Sequence, residues 1–328
     1  MEYRKLGKTD WKVSEISLGT WQVGGGWGGT FDPKAAYKII HTAIDQGINF
    51  IDTADVYDGG LSESAVGKVV RESSEEIFVA TKCGRQINPH DNAGYTTEAL
   101  RGYVEGSLRN MGLETIDLMQ LHCPPTAVYQ RDEIFELFEQ LKKEGKIRHL
   151  GVSVEKVEEA MLAMKYETVS TVQIIFNMFR LKPSEKFFSQ AAVNNVGVIV
   201  RVPLASGLLT GKLTSSSVFD PEDHRTFNRE GAAFDKGETF SGVPYEKGLS
   251  AVDELKQIFE GNEPLAAMAL RWVLMFPEVS TVIPGASKVE QVLSNVKAGS
   301  LAPIAAEKME AVRKVYEKYI KEEVHPQW

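Results

Sequence analysis

Cysteine is scarce in this 328-residue chain: Cys83 and Cys123 are the whole supply. Two thiols cannot build a disulfide framework, and neither stands in a CxxC or Cys/His spacing that would hold zinc. No metal is expected. Long apolar runs are missing too. No stretch approaches about 18 uninterrupted apolar residues, and the start MEYRKLGKTD lacks the basic-then-apolar form of an export signal. A cytoplasmic location without a membrane partner is therefore expected. Positive charge is the third shortage, since 37 Lys+Arg against 45 Asp+Glu leave a formal charge of -8. Nucleic acids and anionic membranes are met by basic faces, so neither is an expected partner. With 43% hydrophobic and 25% charged residues, what remains is an ordinary globular composition able to bury a sizeable core. Small-molecule chemistry is the default.

What the chain does have is alternation. EISLGT, INFID, IFVATK, IDLMQLH, IRHLGVS, TVQII, GVIVRVP and STVIPG read as eight buried strands, separated by stretches with helical period. Asp32 followed by Pro33 gives an N-cap and a first-turn proline, and Ala36, Ile39, Ile40 and Ala43 then recur at helical spacing. The same rhythm appears at Leu100, Val104 and Leu108, at Ile134, Leu137, Phe138 and Leu141, and at Val289, Val292, Leu293 and Val296. Strands apolar throughout, each followed by a helix, imply a parallel sheet covered on both faces. Eight such units predict an α/β fold, a (β/α)8 barrel, with residues 1–328 as one domain. An open dinucleotide-binding sheet would offer a glycine-rich turn opening a helix after its first strand. GGGWGG at 24–29 lies several residues past strand one with no helix directly behind it, and reads as a mobile loop.

Three pieces lie outside the repeat. YRKLGKTDWKVSE predicts a hairpin turning near Gly7 that caps the closed end of the barrel. Residues 214–247 lack clear periodicity, and a loop of that length with phenylalanines and arginines reads as a functional lid. Helices at 263–276 and 302–321 are predicted as additions to the eight.

In such a barrel the working residues stand at the C-terminal ends of strands. Asp52 ends the second strand, Tyr57 follows in its loop, Lys82 ends the third and His122 the fourth. A free tyrosine keeps its proton to about pH 10, and a nearby ammonium is expected to favour the phenolate and lower that value. Asp52 can hold Lys82 charged, Tyr57 can donate to a developing alkoxide, and His122 can steer the same oxygen. Such a set suits carbonyl reduction, in which hydride reaches carbon and a proton reaches oxygen.

Along nearly its whole length the sequence resembles the aldo-keto reductases. The resemblance is carried by LGTW at 18–21, DTADVY at 52–57, ATK at 80–82, LMQLH at 118–122, GVS at 151–153, PLASGLLTGK at 203–212 and IPGASKVEQVLSN at 283–295, seven segments in family order. It implies a (β/α)8 barrel, NADPH-dependent reduction of aldehydes or ketones, transfer of the pro-R hydrogen, and a catalytic set of Asp52, Tyr57, Lys82 and His122. For the cofactor it implies Gly19, Thr20, Trp21 and Asp52 along the first two strands, Ser153 and Gln173 on the nicotinamide amide, and Pro203, Leu204, Ser206, Gly207, Leu209, Gly211 and Lys212 in the segment after the seventh strand. Gly285, Gln291 and Asn295 would hold the adenosine end. Ser287 and Glu290 have capping-box spacing at the start of the last barrel helix, where free backbone N–H groups would face an anion. Lys288 adds positive charge there, and Arg225 could close over the same phosphate from the long loop.

The departures are specific. Many relatives stack the nicotinamide on a tyrosine where this chain has Arg201, whose guanidinium plane can also lie against a ring. Val154 replaces an asparagine that often follows the GVS serine, and Gln291 replaces an arginine common in the last helix. NADPH is expected ahead of NADH. Asp55 reads as a loop capper or surface group outside the catalytic set. Cys83 and Cys123 are expected to point toward the helices by strand alternation. Trp21 reads as a substrate-pocket wall more readily than Trp328. Two other readings fit parts of the pattern: a nucleotide-sensing regulatory subunit with slow turnover, and a phosphate-binding barrel with isomerase or aldolase chemistry.

Overall fold

The computed structural model describes residues 1–25, 30–261 and 263–328. Residues 26–29 of the glycine-rich segment read above as a loop therefore lie outside the described residues. Strands β1 (Tyr3–Lys5) and β2 (Lys12–Ser14) form an antiparallel hairpin with Tyr3 opposite Ser14. Its turn brings Gly7, at φ +52°, against the backbones of Ser170, Val196 and Gly197, where a Cβ would fall 2.1 Å from the Gly197 nitrogen. Only glycine fits so close an approach at that φ. The hairpin thus covers the N-terminal ends of two barrel strands, as the sequence predicts.

The apolar runs become β3 (Leu18–Gly19), β4 (Phe50–Asp52), β5 (Phe78–Cys83), β6 (Ile116–His122), β7 (Ile147–Ser153), β8 (Val169–Ile175), β9 (Gly197–Arg201) and β10 (Val279–Val282), paired in parallel in chain order. The two edges then meet. Ile16 bridges Val282 and Gly19 bridges Gly285, with Ser17 N–H donating to Val282 O at 2.9 Å and Val282 N–H donating to Glu15 O at 3.0 Å. Closure leaves no sheet edge and makes the (β/α)8 barrel.

Helices α1 (Pro33–Asp45), α2 (Leu61–Glu72), α3 (Thr97–Met111), α4 (Asp132–Lys143), α5 (Val157–Ala163) and α6 (Phe187–Val193) each follow one of the strands β3 to β8. The start of α1 shows why: Asp32 Oδ1 accepts from the Lys34 and Ala35 amides at 2.8 and 3.2 Å, and Ala36, Ile39, Ile40 and Ala43 bury one stripe. Beyond β9 come α7 (His224–Phe227), α8 (Tyr245–Ile258), α9 (Leu265–Leu274), α10 (Val289–Gly299), α11 (Ala306–Tyr319) and α12 (Lys321–Val324). Of the two helices predicted as additions, α11 is one, but α9 is not. It packs on β10 and α10 and so belongs to the ring around the barrel, while α8 lies outside against α11. The stripe that α8 buries is Gly248, Ala251, Val252 and Leu255, mostly too small to stand out as a helical period. Among the described residues no helix is long and apolar enough to cross a membrane.

Strand alternation places two layers inside the barrel. Phe50, Phe78, Ala80, Leu118, Ile199 and Ile283 pack with Leu6 and Val13 of the hairpin as an apolar floor. Asp52, Lys82, Gln120, His122 and Arg201 follow on the same faces toward the C-terminal ends, forming the mouth. The long segment 214–247 crosses this end: Ser206 Oγ donates to Glu238 O at 3.1 Å and accepts from the Phe240 amide at 3.0 Å. Trp328 anchors it, its Nε1 donating to Asp235 Oδ1 at 2.8 Å while the Arg180 guanidinium lies 4.1 Å from its ring centre.

Candidate active site

The loop after β4 is zipped to β5. Thr53 N–H donates to Ala80 O at 2.8 Å, Asp55 N–H to Lys82 O at 3.2 Å, and Tyr57 N–H turns back to Ala54 O at 3.1 Å. This brings the phenol over the end of β5. Lys82, 1% exposed, donates from Nζ to Asp52 Oδ1 at 2.5 Å, Thr53 O at 2.8 Å and the Tyr57 hydroxyl at 3.3 Å. Three acceptors satisfy all three N–H bonds of the ammonium. Burial alone would lower the Lys82 pKa, but Asp52 and Tyr57 outweigh it and the net direction is up, so the amine stays charged. For Tyr57 the balance differs from the sequence expectation: burial raises its pKa more than Lys82 lowers it, and Asp52 adds to the rise. The phenol is therefore held protonated at neutral pH, with the ammonium ready beside its oxygen.

His122 stands edge-on to the Tyr57 ring, centroids 6.1 Å apart at 83°. Burial first, then the charges of Arg85 and Lys82, put its pKa well below the usual imidazole value. It is a neutral ring whose Nδ1 has no protein hydrogen-bond partner among the described residues. Trp21 lies 6.4 Å from the Tyr57 ring at 26° and 4.9 Å from the His224 ring, beside the phenol as a wall would be.

Around this group runs an ion network that sequence reasoning missed. Arg85, just past β5, donates to Glu238 Oε1 at 2.7 Å and Glu155 Oε1 at 3.3 Å. Arg201, ending β9, donates to Val154 O at 3.0 Å and Glu155 Oε2 at 2.9 Å. Burial works against the Glu238 anion, yet Arg85 and Arg201 hold its pKa well below the carboxylate range, whereas burial pushes Glu155 up. The Arg201 guanidinium, expected against a nicotinamide ring, is thus tied to the rim, one terminal nitrogen on Val154 O and Glu155 and the other 3.7 Å from Glu238. Oxygens of both glutamates and Cys123 Sγ lie within 4.8 Å of one another, a spacing a metal ion could use, but the two guanidiniums already bond these carboxylates. Behind Arg201 the backbone takes φ +52° at Val202, +47° at Ala205 and +53° at Ser206. Such angles are costly for a β-branched residue and persist where surroundings dictate them. Here Asn177 Nδ2 holds Val202 O at 2.8 Å.

The remaining residues implied for the cofactor scatter in role. Thr20 Oγ1 donates to Asp52 O at 3.0 Å, bracing β3 on β4, and Gly19 joins the closing bridge to Gly285. Ser153 ends β7, its Oγ 3.4 Å from Cys123 Sγ. Gln173 donates to Asp52 Oδ2 at 2.8 Å, so its nitrogen is engaged within the barrel. Pro203 and Leu209 are buried and Leu204 partly so, Gly211 ends the turn at φ +71°, and Lys212 is exposed. The Ser206 hydroxyl is engaged by the long segment, and Gly207 lies under Arg225. Arg225 itself pairs with Asp223 at 2.6 Å and covers Phe219, so a phosphate would have to compete with that carboxylate.

The Ser287–Glu290 capping box does not form. Lys288 is the N-cap of α10, and it is Gln291 that reaches back: its Oε1 accepts from the Ser287 amide at 2.7 Å and lies 3.2 Å from the Ser287 hydroxyl. Both Ser287 donors thus converge on one oxygen at an exposed helix N-terminus beside Lys288, the arrangement a phosphate oxygen would use. Asn295 Nδ2 donates to Gly285 O at 3.4 Å, fixing the same turn. Asp55 is neither a capper nor a surface group. It is 4% exposed, lines a cavity of about 490 Å³ against α3, and burial with the nearby Glu63 raises its pKa to about 7. Both cysteines are buried, and burial raises their pKa values.

A closed barrel with a phenol, an ammonium, a carboxylate and a neutral imidazole at its mouth defines a class of carbonyl-reducing enzymes. The family model described as the aldo/keto reductase family matches residues 15–317, and the chain belongs to that family. It is an oxidoreductase acting on carbonyl groups. It is 31% identical over 340 residues to the aldo-keto reductase YhdN of Bacillus subtilis, covering 100% of this chain and 97% of that protein. The NADH-specific methylglyoxal reductase of Escherichia coli is 30% identical over 317 residues, covering 89% of this chain and 92% of that protein. Among solved structures, the glycerol dehydrogenase AKR11B4 from Gluconobacter oxydans superposes with a TM-score of 0.78 at 31% identity, covering 97% of this chain and 96% of that one.

Proposed function

We propose that the chain reduces a small aldehyde or ketone with NADPH in preference to NADH, and that Tyr57 is the general acid. The observation that carries this reading is the Lys82 ammonium, buried and held between Asp52 and the Tyr57 hydroxyl. A reduced nicotinamide nucleotide, when bound, supplies the hydride. Tyr57 gives its proton to the carbonyl oxygen, and Lys82 stabilises the phenolate that remains. Asp52 keeps the ammonium in place. His122, a neutral ring edge-on to Tyr57, orients the carbonyl oxygen from the side.

Nucleotide binding is assigned to Ser153 and Gln173 at the nicotinamide amide and to the face of Arg201 against its ring. The turn from Pro203 to Lys212 follows the phosphates, and Gly285, Ser287, Lys288, Gln291 and Asn295 take the adenosine end. The converging Ser287 donors and the Lys288 charge fit a phosphate at α10. Gln291 cannot add a charge there, and the NADH-specific relative makes the nucleotide preference a point to measure. Tyr57→Phe tests the acid. It should lower kcat by about 10²–10⁴-fold and leave nucleotide affinity unchanged; a variant that still turns over at the parent rate removes Tyr57 from the chemistry.

A further inference from the structure

The turn that carries Tyr57 has a back as well as a front. Between it and α3, outside the barrel, lies the cavity of about 490 Å³ that Asp55 lines, a size usual for small-molecule sites. Two groups on its wall lack the partners that buried polar atoms ordinarily have. Neither carboxyl oxygen of Asp55 completes a hydrogen bond among the described residues, although Gln86 and the Val56 amide stand near it, and the buried hydroxyl of Ser107 completes none either. Glu63, equally buried beside Asp55, makes the contrast. Its Oε1 accepts from Thr81 Oγ1 at 2.5 Å and its Oε2 from Asn110 Nδ2 at 2.8 Å. The fold supplies donors to one carboxyl group and none to the other.

Gly102 and Gly106, one turn apart on α3, line the same cavity. Glycine inside a helix is costly relative to alanine, and a close neighbour is the usual reason for keeping it. Here no such neighbour stands: a Cβ at Gly102 would meet nothing within 4 Å, and one at Gly106 only the tip of Arg109 at 3.9 Å. Two side chains are withheld from open space rather than from contact. The charges are sorted by depth. At the inner end Glu63 acts on Asp55 more strongly than Lys82 does, and the other titratable groups facing it, Cys83, Tyr95 and Tyr103, carry no positive charge. That end favours a cation. Arg109 stands exposed on the rim.

We propose that this cavity binds a small amphoteric amine, an α-amino acid in its zwitterionic form, with the ammonium against Asp55 and Ser107 and the carboxylate at Arg109. An ammonium brings three N–H donors, and the two Asp55 oxygens with the Ser107 oxygen are three acceptors. Its charge takes the place of the proton that burial otherwise keeps on the Asp55 carboxyl. At the rim the carboxylate meets a guanidinium, a charge-assisted pair. The glycines leave the width for the ligand to pass between. The site lies apart from the mouth and neither needs nor blocks a nucleotide, so it does not rest on the reductase reading.

The test uses the full chain, wild type beside Asp55→Asn and Gly106→Leu, with folding checked by circular dichroism and thermal melting. Saturation-transfer NMR with glycine as the probe should show wild type binding at about 1–10 mM, the range open to a ligand of so few atoms. Methylammonium lacks the carboxylate, acetate lacks the ammonium and betaine lacks the N–H donors; each should bind about tenfold more weakly or not at all. Asp55→Asn removes the counter-charge and should weaken glycine about tenfold or more. Gly106→Leu fills the cavity without touching Asp55 and should abolish the glycine signal, while its melting temperature holds or rises because a helix former replaces glycine. Wild-type affinity for glycine should climb about tenfold from pH 6 to pH 8 as Asp55 ionises, and that of Asp55→Asn should stay flat. Wild type that does not bind glycine, or a folded Asp55→Asn that binds it as tightly as wild type, overturns the proposal. So does glycine binding that saturating NADPH abolishes, since the ligand would then sit in the mouth.

Discussion

The floor and the mouth of this barrel are built from the same strands and differ by two to four residues along them. On β5 the inward series runs Phe78, Ala80, Lys82; on β6 it runs Leu118, Gln120, His122. The floor residues are fully apolar, packed on the hairpin's Leu6, and each of the larger side chains, Phe78 and Leu118 among them, contributes about 1.5–3 kcal/mol by burial. The mouth is as deeply buried but holds Asp52, Lys82, Gln120 and Gln173 in a connected polar set. A buried ion pair seldom gains stability over apolar residues of the same volume. Depth of burial therefore says little about role here; what distinguishes the layers is that the polar groups of the mouth are joined in one hydrogen-bonded set.

Substitution in each layer sharpens the contrast. Tyr57→Phe, the largest expected effect, should remove orders of magnitude from kcat and leave the melting temperature nearly unchanged, as it removes one hydroxyl. Leu118→Ala should do the reverse. It costs about 2–5 kcal/mol of unfolding free energy, read by urea denaturation, while kcat and KM at a permissive temperature stay within about twofold. If Leu118→Ala cripples turnover without loss of stability, the two layers are not separable.

A smaller effect lies just outside the mouth at Asp55. Burial and Glu63 raise its folded pKa from 3.8 to about 7. Between those values the native state keeps a proton that the unfolded chain has lost, so the contribution of Asp55 to stability falls as pH rises through this window. Asp55→Asn abolishes that slope. Relative to wild type, the variant should gain about 2 kcal/mol in unfolding free energy on going from pH 5 to pH 8. Equal denaturation midpoints at both pH values for both proteins would show that Asp55 does not titrate as its surroundings imply.

Much of this architecture is legible from the chain. Each barrel strand is a mainly apolar run, and Asp52, Lys82 and His122 can be placed at the mouth because each stands at or next to the end of one. Gln120 was readable only with a further step: it lies two positions before His122 in LMQLH, so alternation sends it to the same inner face, yet inside an apolar run it passes for a strand residue. The network of Arg85, Glu155, Arg201 and Glu238 was not legible, since it depends on three loops and a strand end docking together. The α8 helix was hidden by the small residues of its buried stripe, and α9, apolar on nearly every face, gave no sign of which neighbour it would meet. At α10 the cap shifted by one residue, because Lys288 took the N-cap and Gln291, not Glu290, then faced back.

The most direct measurement is a nucleotide fluorescence titration of the wild-type chain with NADPH and NADH, followed by a panel of aldehydes and ketones. The account expects binding of both nucleotides with NADPH ahead, and consumption of bound nucleotide with one alcohol formed for each. Tight binding with no consumption by any carbonyl would contradict it and favour a nucleotide-sensing role for the same mouth.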